Sequence, residues 1–334
     1  MDINELNGRL EAFVADQFGR GHRLDNIHES DGHAGLTFLF DVVPPTGTSV
    51  GYVIKMPPKG VAYRGNTDVF RQAPLLRALH RAGLAVPEVP FAFEDNPWFE
   101  TPFIIMQRLP GTVFFVWDPR PPFTRAAGES AHIWTQCIAE LPRIHQFDWQ
   151  RELAGWDAPE PLADNVQRWQ KIYAQAPEPA WTDAANRLET RLLETLPGGQ
   201  PVGLFHGDYQ PGNVLYDAGT LKGVIDWELA GIGAQLLDVG WLMMVCDPAN
   251  WNDDWRPVHA PNPKDLRARY ESAMGCVYDD LPWYQAFAGY RLGSIGCLNV
   301  KLHRKGQRHD PVWEHIGRTV PAMFARAEAL LGGS

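Results

Sequence analysis

Leu204-Phe205-His206-Gly207-Asp208-Tyr209-Gln210-Pro211-Gly212-Asn213-Val214-Leu215, followed after a turn by Val224-Ile225-Asp226-Trp227-Glu228, is the stretch on which the fold turns. Residues 202–205 and 213–216 are short runs of β-branched, aromatic and Leu residues, and Gly207, Pro211 and Gly212 between them break regular structure and hold a polar loop. Asp208 and Asn213 sit in that loop, and Asp226 closes the next apolar run, 221–225, after a turn at 217–220. The pattern predicts three oxygen-bearing side chains meeting at one edge of a small hairpin. Phosphoryl transfer needs such a set: a carboxylate to accept a proton from an attacking hydroxyl, and hard oxygen ligands for the magnesium that neutralises a triphosphate. Taken singly, an Asp or Asn in a turn more often bonds its own backbone.

The combination is more specific than its parts. H-G-D-x-x-x-x-N followed by I-D-W resembles the aminoglycoside phosphotransferase and choline kinase group of the protein-kinase-like fold, standing for the H-R-D-x-x-x-x-N and D-F-G elements of protein kinases. The resemblance implies an α+β, protein-kinase-like bilobal fold. A small antiparallel β-sheet N-lobe with a helix would cover residues 1–106, a hinge 107–111, and a larger, mainly helical C-lobe 112–334. It implies Asp208 as catalytic base, Asn213 and Asp226 as magnesium ligands, and His206 as a scaffold residue of the loop. Asp238 matches the aspartate with which the family braces that loop. Many relatives carry Asp-Pro where this chain has Ala234 and Gln235, a departure confined to a supporting turn.

The same resemblance extends upstream. Gly32, Gly35, Thr37 and Phe38 fit the turn that covers the nucleotide, although Ala34 and Gly35 replace the usual Ser and Asn. By itself G-x-x-G is an ordinary hairpin signal. Lys55, in the apolar run 51–56, resembles the lysine that pairs with the α- and β-phosphates, whereas a strand lysine read alone is a solvated edge charge. The lysine's usual partner is a glutamate on the next helix, expected at 67–82, but the match places the uncharged Gln72 there. Asp68, one turn earlier, is the candidate substitute. Pro74 predicts that this helix starts late or kinks. Residues 101–111 read as a strand entering the hinge, with the Gln107 to Leu109 backbone on an adenine edge and Met106 lining its pocket; a buried strand ending at a Pro-Gly turn fits the same letters.

A chain of 334 residues with 45% hydrophobic residues is long and apolar enough for two lobes. The formal net charge of −10 gives no electrostatic reason to bind nucleic acid or an anionic membrane. Cys137, Cys246, Cys276 and Cys297 are widely spaced, with no C-x-x-C pair, and read as thiols of a reducing compartment. With neither a signal-like start nor a bilayer-length apolar run, the expectation is a cytoplasmic protein with no obligate protein partner.

Helices are expected at 4–18, 124–149 with a bend at Pro142, 181–196, 264–273, 282–301 and 313–331. In the fifth of these, Gly289, Gly293 and Gly296 would allow close packing. His145 reads as a hydrogen-bonded core histidine. Asp247, Asp253 and Asp254 alternate with Trp251 and Trp255 on a loop that would hold a cationic or alcohol-bearing substrate, or else is a surface loop pinned by its aromatics. Lys301, His303, Arg304, Lys305 and Arg308 would suit an anionic acceptor, or else form solvated helix ends. The expected activity is ATP- and Mg2+-dependent transfer of the γ-phosphoryl group to a hydroxyl of a small molecule. Residues 141–149 and 283–306 look most like the bacterial branch related to the kinase-like domain fused to acyl-CoA dehydrogenases, which implies a hydroxyacyl-CoA as one acceptor. The alternatives are an aminoglycoside-type antibiotic kinase and a nucleotide-binding pseudokinase, the latter favoured by Gln72 and opposed by Asp208, Asn213 and Asp226 together. With no A-P-E-like segment between Asp226 and Asp238, a protein kinase is not expected.

Overall fold

The computed structural model describes residues 3–30, 36–58, 60 and 62–332. Helix α1 (Ile3–Gln17) carries apolar residues at helical spacing and buries Leu6, Leu10, Phe13 and Val14 on one face of a sheet. The Phe13 ring meets Phe91, Trp98 and Phe103 edge-on, at centroid distances of 5.3, 5.1 and 5.7 Å. That sheet contains β1 (Arg23–Glu29), β2 (Leu36–Val43), β3 (Val50–Met56), β4 (Phe91–Phe93) and β5 (Phe103–Gln107), in the order β1-β2-β3-β5-β4, all antiparallel. Helix α2 (Gln72–Arg81) lies between β3 and β4 in the chain. It begins only at Gln72, as Pro74 requires: in the first turn the missing N–H costs nothing.

Beyond β6 (Thr112–Val113) the chain is mainly helical: α3 (Ala127–His145), the short α4 (Trp149–Glu152), α5 (Leu162–Gln167) and α6 (Gln170–Tyr173), then α7 (Pro179–Glu194). Strands β7 (Val202–Phe205), β8 (Val214–Asp217), β9 (Thr220–Val224) and β10 (Gly231–Ala234) follow, and after them α8 (Leu236–Cys246), α9 (Pro263–Met274), α10 (Leu281–Arg304) and α11 (Val312–Gly332). The glycines of α10 do what their spacing predicts. A Cβ on Gly293 would lie 2.2 Å from the Phe324 ring, and one on Gly296 would lie 2.9 Å from a Val320 methyl, so α11 packs directly on the α10 backbone. Gly240 in α8 plays the same part against α10, where a Cβ would meet the Tyr284 carbonyl at 2.4 Å.

The strands flanking the polar loop belong to two different sheets. β7 does not pair with β8 across the polar loop; it runs antiparallel to β10, and the hairpin at the site is β8–β9, with β6 on its outer edge. Gly207 explains this. Its φ of +89° turns the chain away from β7, and a side chain there would strike the Leu229 carbonyl oxygen at 2.5 Å. The sheet and α1 share one apolar core, while α2 buries Leu75, Leu76 and Leu79 in the core of the helical part, together with Val224 and Trp227. No helix of the described residues is long and apolar enough to cross a membrane.

Candidate active site

The loop between β7 and β8 is held from below by α8. The buried carboxylate of Asp238 accepts the backbone N–H groups of His206 and Gly207 at 2.6 and 2.8 Å, and lies 3.4 Å from Nε2 of His145. Burial alone would raise the pKa of Asp238, but the His145 contact and the His206 N–H outweigh it and hold the carboxyl below the usual aspartate range. His145 is the core histidine expected, bonded also to the Tyr270 hydroxyl at 2.8 Å. Gln235, at the departure noted above, lies across Gly203 and donates to the His145 carbonyl, so an amide side chain locks the supporting turn.

His206 ties the loop to the segment carrying Asp226. Its Nδ1 accepts the Asp208 N–H at 3.2 Å, which leaves Nε2 as the donor to the Ile225 carbonyl at 2.8 Å. Both ring nitrogens are thereby spent, as a scaffold residue requires.

Asp208 and Asn213 are in contact. Asn213 Nδ2 donates to the Asp208 backbone oxygen at 2.8 Å and to its Oδ2 at 2.9 Å, while Gln210 Nε2 donates to Oδ1 at 3.0 Å. Burial pushes the Asp208 carboxyl above its usual pKa, opposed chiefly by the charge of Arg291. Asp226 stands at the far end of the β8–β9 hairpin in the left-handed backbone region, φ 63° and ψ 54°, a strained conformation for a non-glycine residue. The Ile225 N–H donates to the Asn213 carbonyl at 2.9 Å, which fixes the two ends of the hairpin side by side.

Lys55 enters from β3, opposite Thr37 in the β2–β3 register, and its ammonium lies 3.1 Å from Asp226 Oδ1 and 3.1 Å from Glu228 Oε2. Burial would lower its pKa, but the two carboxylates more than offset this and hold the ammonium above the ordinary lysine value. Burial and the neighbouring Asp226 raise the Glu228 carboxyl against the pull of Lys55. The sequence reading missed Glu228, although it lies only two residues past Asp226. It supplies the carboxylate that Gln72 lacks. Gln72 itself is 2% exposed, with no partner for its amide nitrogen among the described residues, and Asp68 accepts the Arg71 N–H instead of approaching Lys55.

At the end of β5, Met106 is half-buried and Gln107 exposed. The Gln107 N–H is spent on the Glu88 carbonyl and that of Arg108 on the Gly51 carbonyl, each at 2.9 Å. Of the Gln107 to Leu109 backbone expected on an adenine edge, two N–H groups are thus engaged within the protein, and that of Leu109 is outside these bonds. Gly32 and Gly35 lie outside the described residues.

Oxygen donors suited to a hard cation remain at the centre. Asn213 Oδ1 and Asp226 Oδ2 take no hydrogen bond among the described residues. No group of three or more His, Cys, Asp and Glu side chains able to hold a metal occurs among those residues. A two-ligand set completed by phosphate oxygens and water is the kind Mg2+ accepts.

An antiparallel sheet region joined to a helical part, with a polar loop and a hairpin facing a strand lysine, defines a kinase-like phosphotransferase fold. The model of the phosphotransferase enzyme family matches residues 32–274, and the chain belongs to that family. Among curated proteins it is 27% identical over 286 residues to acyl-CoA dehydrogenase family member 10 of Mus musculus, covering 81% of this chain and 26% of that protein. It is 30% identical over 197 residues to acyl-CoA dehydrogenase family member 11 of Gallus gallus, covering 57% of this chain and 24% of that one. The chain thus spans about a quarter of the length of these two relatives. Among solved structures, a Ralstonia eutropha protein assigned as an aminoglycoside phosphotransferase superposes with a TM-score of 0.74 at 21% identity, covering 96% of this chain and 98% of that one. A ternary complex of aminoglycoside phosphotransferase APH(4)-Ia with AMP-PNP and hygromycin B gives 0.60 at 16% identity, covering 96% and 97%.

Proposed function

We propose that the chain transfers the γ-phosphoryl group of ATP to a hydroxyl of a small molecule, with Asp208 as base. The observation that carries this reading is that Asp208 and Asn213 of one loop meet at 2.9 Å, Asp226 and Lys55 lie 3.1 Å apart, and the Ile225 N–H ties the second pair's segment to the Asn213 carbonyl at 2.9 Å. Asp208 is fixed in direction by Asn213 and Gln210 and keeps lone pairs with which to accept the hydroxyl proton. Lys55 offers its ammonium to the phosphates, steadied by Glu228. Asn213 and Asp226 would hold Mg2+, which supplies neutralisation of the triphosphate charge. Leu109 offers its N–H to the adenine edge, with Met106 beside it. Thr37, opposite Lys55, and Gly32 and Gly35 before it would cover the phosphates. Catalysis of this kind is positioning and charge stabilisation, with no covalent enzyme intermediate.

The division into a lobe at 1–106, a hinge at 107–111 and a lobe at 112–334 is part of the same reading, as are a cytoplasmic setting and the absence of an obligate protein partner. A hydroxyacyl-CoA is the first acceptor to try. The acids that would hold a polyamine are already paired, Asp247 with Arg326, Asp253 with Arg256 and Asp254 with Arg318. The basic cluster is also engaged: Arg304 pairs with Glu178 and Glu314, Lys301 donates to Gln175 and Arg308 donates to Asn299. A mass-spectrometric screen of hydroxylated metabolites, hydroxyacyl-CoAs and aminoglycosides with ATP and Mg2+ should reveal an acceptor that gains one phosphoryl group. Asp208→Asn should abolish that gain while nucleotide binding stays within a few-fold of the parent. Transfer at the parent rate by this variant would overturn the role of Asp208.

A further inference from the structure

Arg291 on α10 is 7% exposed and makes no ion pair among the described residues. Its guanidinium carbon lies 4.8 Å from the ring centre of Trp241, three residues beyond Asp238 on α8, and 5.3 Å from that of Trp169. Cation–π contact with two indoles eases the cost of burial. It gives the N–H groups nothing to bond, since an aromatic face offers electron density and not a lone pair in their plane. Among the described residues the buried Nε of Arg291 has no hydrogen-bond partner, and neither do the buried indole N–H groups of Trp169 and Trp241. Arg291 and the two indoles it touches therefore bury three donors and supply no acceptor for them among the described residues.

Unmet buried donors of this kind are costly, more so for a charged group, so their clustering calls for an acceptor that arrives from outside. The cluster lies beside the reacting centre: Arg291 is near enough to Asp208 and Asp238 for the charges to act on one another. Its neighbour Arg168 is committed to Glu160.

We propose that Arg291, between Trp169 and Trp241, is a subsite for an oxyanion, a carboxylate or a phosphate, carried by the acceptor alcohol. This deepens the kinase reading and rests on it. With the oxyanion on the guanidinium and the two indole N–H groups, the acceptor's hydroxyl is left to Asp208. The acceptor is then an acidic alcohol, and a polyamine would place its ammonium groups against a buried cation.

Binding and transfer are measured separately. Isothermal titration of the protein without nucleotide uses two matched pairs: 3-hydroxybutanoate against 1,3-butanediol, and glycerol 3-phosphate against glycerol. At least one anionic member should bind about tenfold or more tightly than its neutral partner, and which one does so tells carboxylate from phosphate. Arg291→Lys, which keeps the charge but loses the planar donor set, should weaken that binding at least about tenfold while the ATP dissociation constant stays unchanged. Trp169→Phe and Trp241→Phe keep the aromatic faces and delete the N–H groups; each should weaken oxyanion binding several-fold without lowering Tm. Equal binding of anionic and neutral partners, no binding by either anion, or anion binding indifferent to Arg291→Lys and to both Trp variants would overturn the proposal. Anion binding that depends on Arg291 in a protein that phosphorylates no alcohol would uphold the subsite and sink the kinase reading instead.

Discussion

At the scale of single residues, the informative partner is the one that the family pattern does not supply. Lys55 needs a carboxylate to hold its ammonium in place, and Gln72 cannot provide one. Glu228 does so from the segment that also carries Asp226, so one short stretch serves both the lysine and the candidate metal site. Glu228→Ala should leave Lys55 on Asp226 alone, where its ammonium draws on the carboxylate wanted by Mg2+. A charge-assisted contact is worth about 1.5–3 kcal/mol, so the KM for ATP should rise by about tenfold or more. Steady-state kinetics in ATP at fixed Mg2+ checks this, and Glu228→Gln should fall between the two. The letters Ile225-Asp226-Trp227-Glu228 contained the signal, but a sequence pattern built on a helix-borne glutamate looks at position 72 and stops there. Lys55 and Asp226 were readable because the letters around each resemble a family motif, whereas Arg291 gave no sign because its setting depends on separate helical segments meeting.

At the scale of elements, the polar loop is shaped by the first turn of α8 as well as by its own turn residues. Asp238 takes two backbone N–H groups, and its carboxyl has a pKa below the usual range in the folded chain. The unfolded chain therefore binds the proton more readily. This contribution to stability is complete above the unfolded value of about 3.9, shrinks as pH falls through it, and is gone below the folded value. Asp238→Asn should remove that acid-side dependence, and at neutral pH should cost about 1–3 kcal/mol, because its amide nitrogen cannot accept the N–H it would face. Urea denaturation of both proteins between neutral pH and the acid range measures the two effects. A second element-scale test is Gly293→Leu. It forces a side chain into the Phe324 ring and should cost about 1–3 kcal/mol by prising α11 from α10. The helices were legible from periodicity, and Pro74 announced the late start of α2. The pairing of β7 with β10 was not, because short apolar runs specify that a strand forms but not which strand it joins.

At the scale of the molecule, two apolar cores are spanned by a small polar seam. The sheet and α1 close one core, the helical part with α2 closes the other, and Lys55 of the sheet reaches Asp226 and Glu228 of the hairpin segment. A nucleotide lying in this seam would draw the ammonium onto its phosphates and bind both sides at once. It would therefore stabilise the whole chain by mass action, by about 2.7 kcal/mol at a hundredfold excess over its dissociation constant. Lys55→Met removes the sheet-borne cation that meets the phosphates in this reading and leaves Asp226 and Glu228 facing each other unpaired. The variant should fold with a lower Tm and should show much less of the rise that the parent gains from ATP and Mg2+ at equal concentrations. Thermal denaturation across an ATP series, with adenosine as the control that keeps the base and lacks the phosphates, separates the two effects. Adenosine should shift parent and variant alike, since it reaches the hinge and not the lysine. An ATP-dependent rise as large in Lys55→Met as in the parent would mean that the ammonium does not meet the phosphates, and that its contacts with Asp226 and Glu228 serve only to join the two cores.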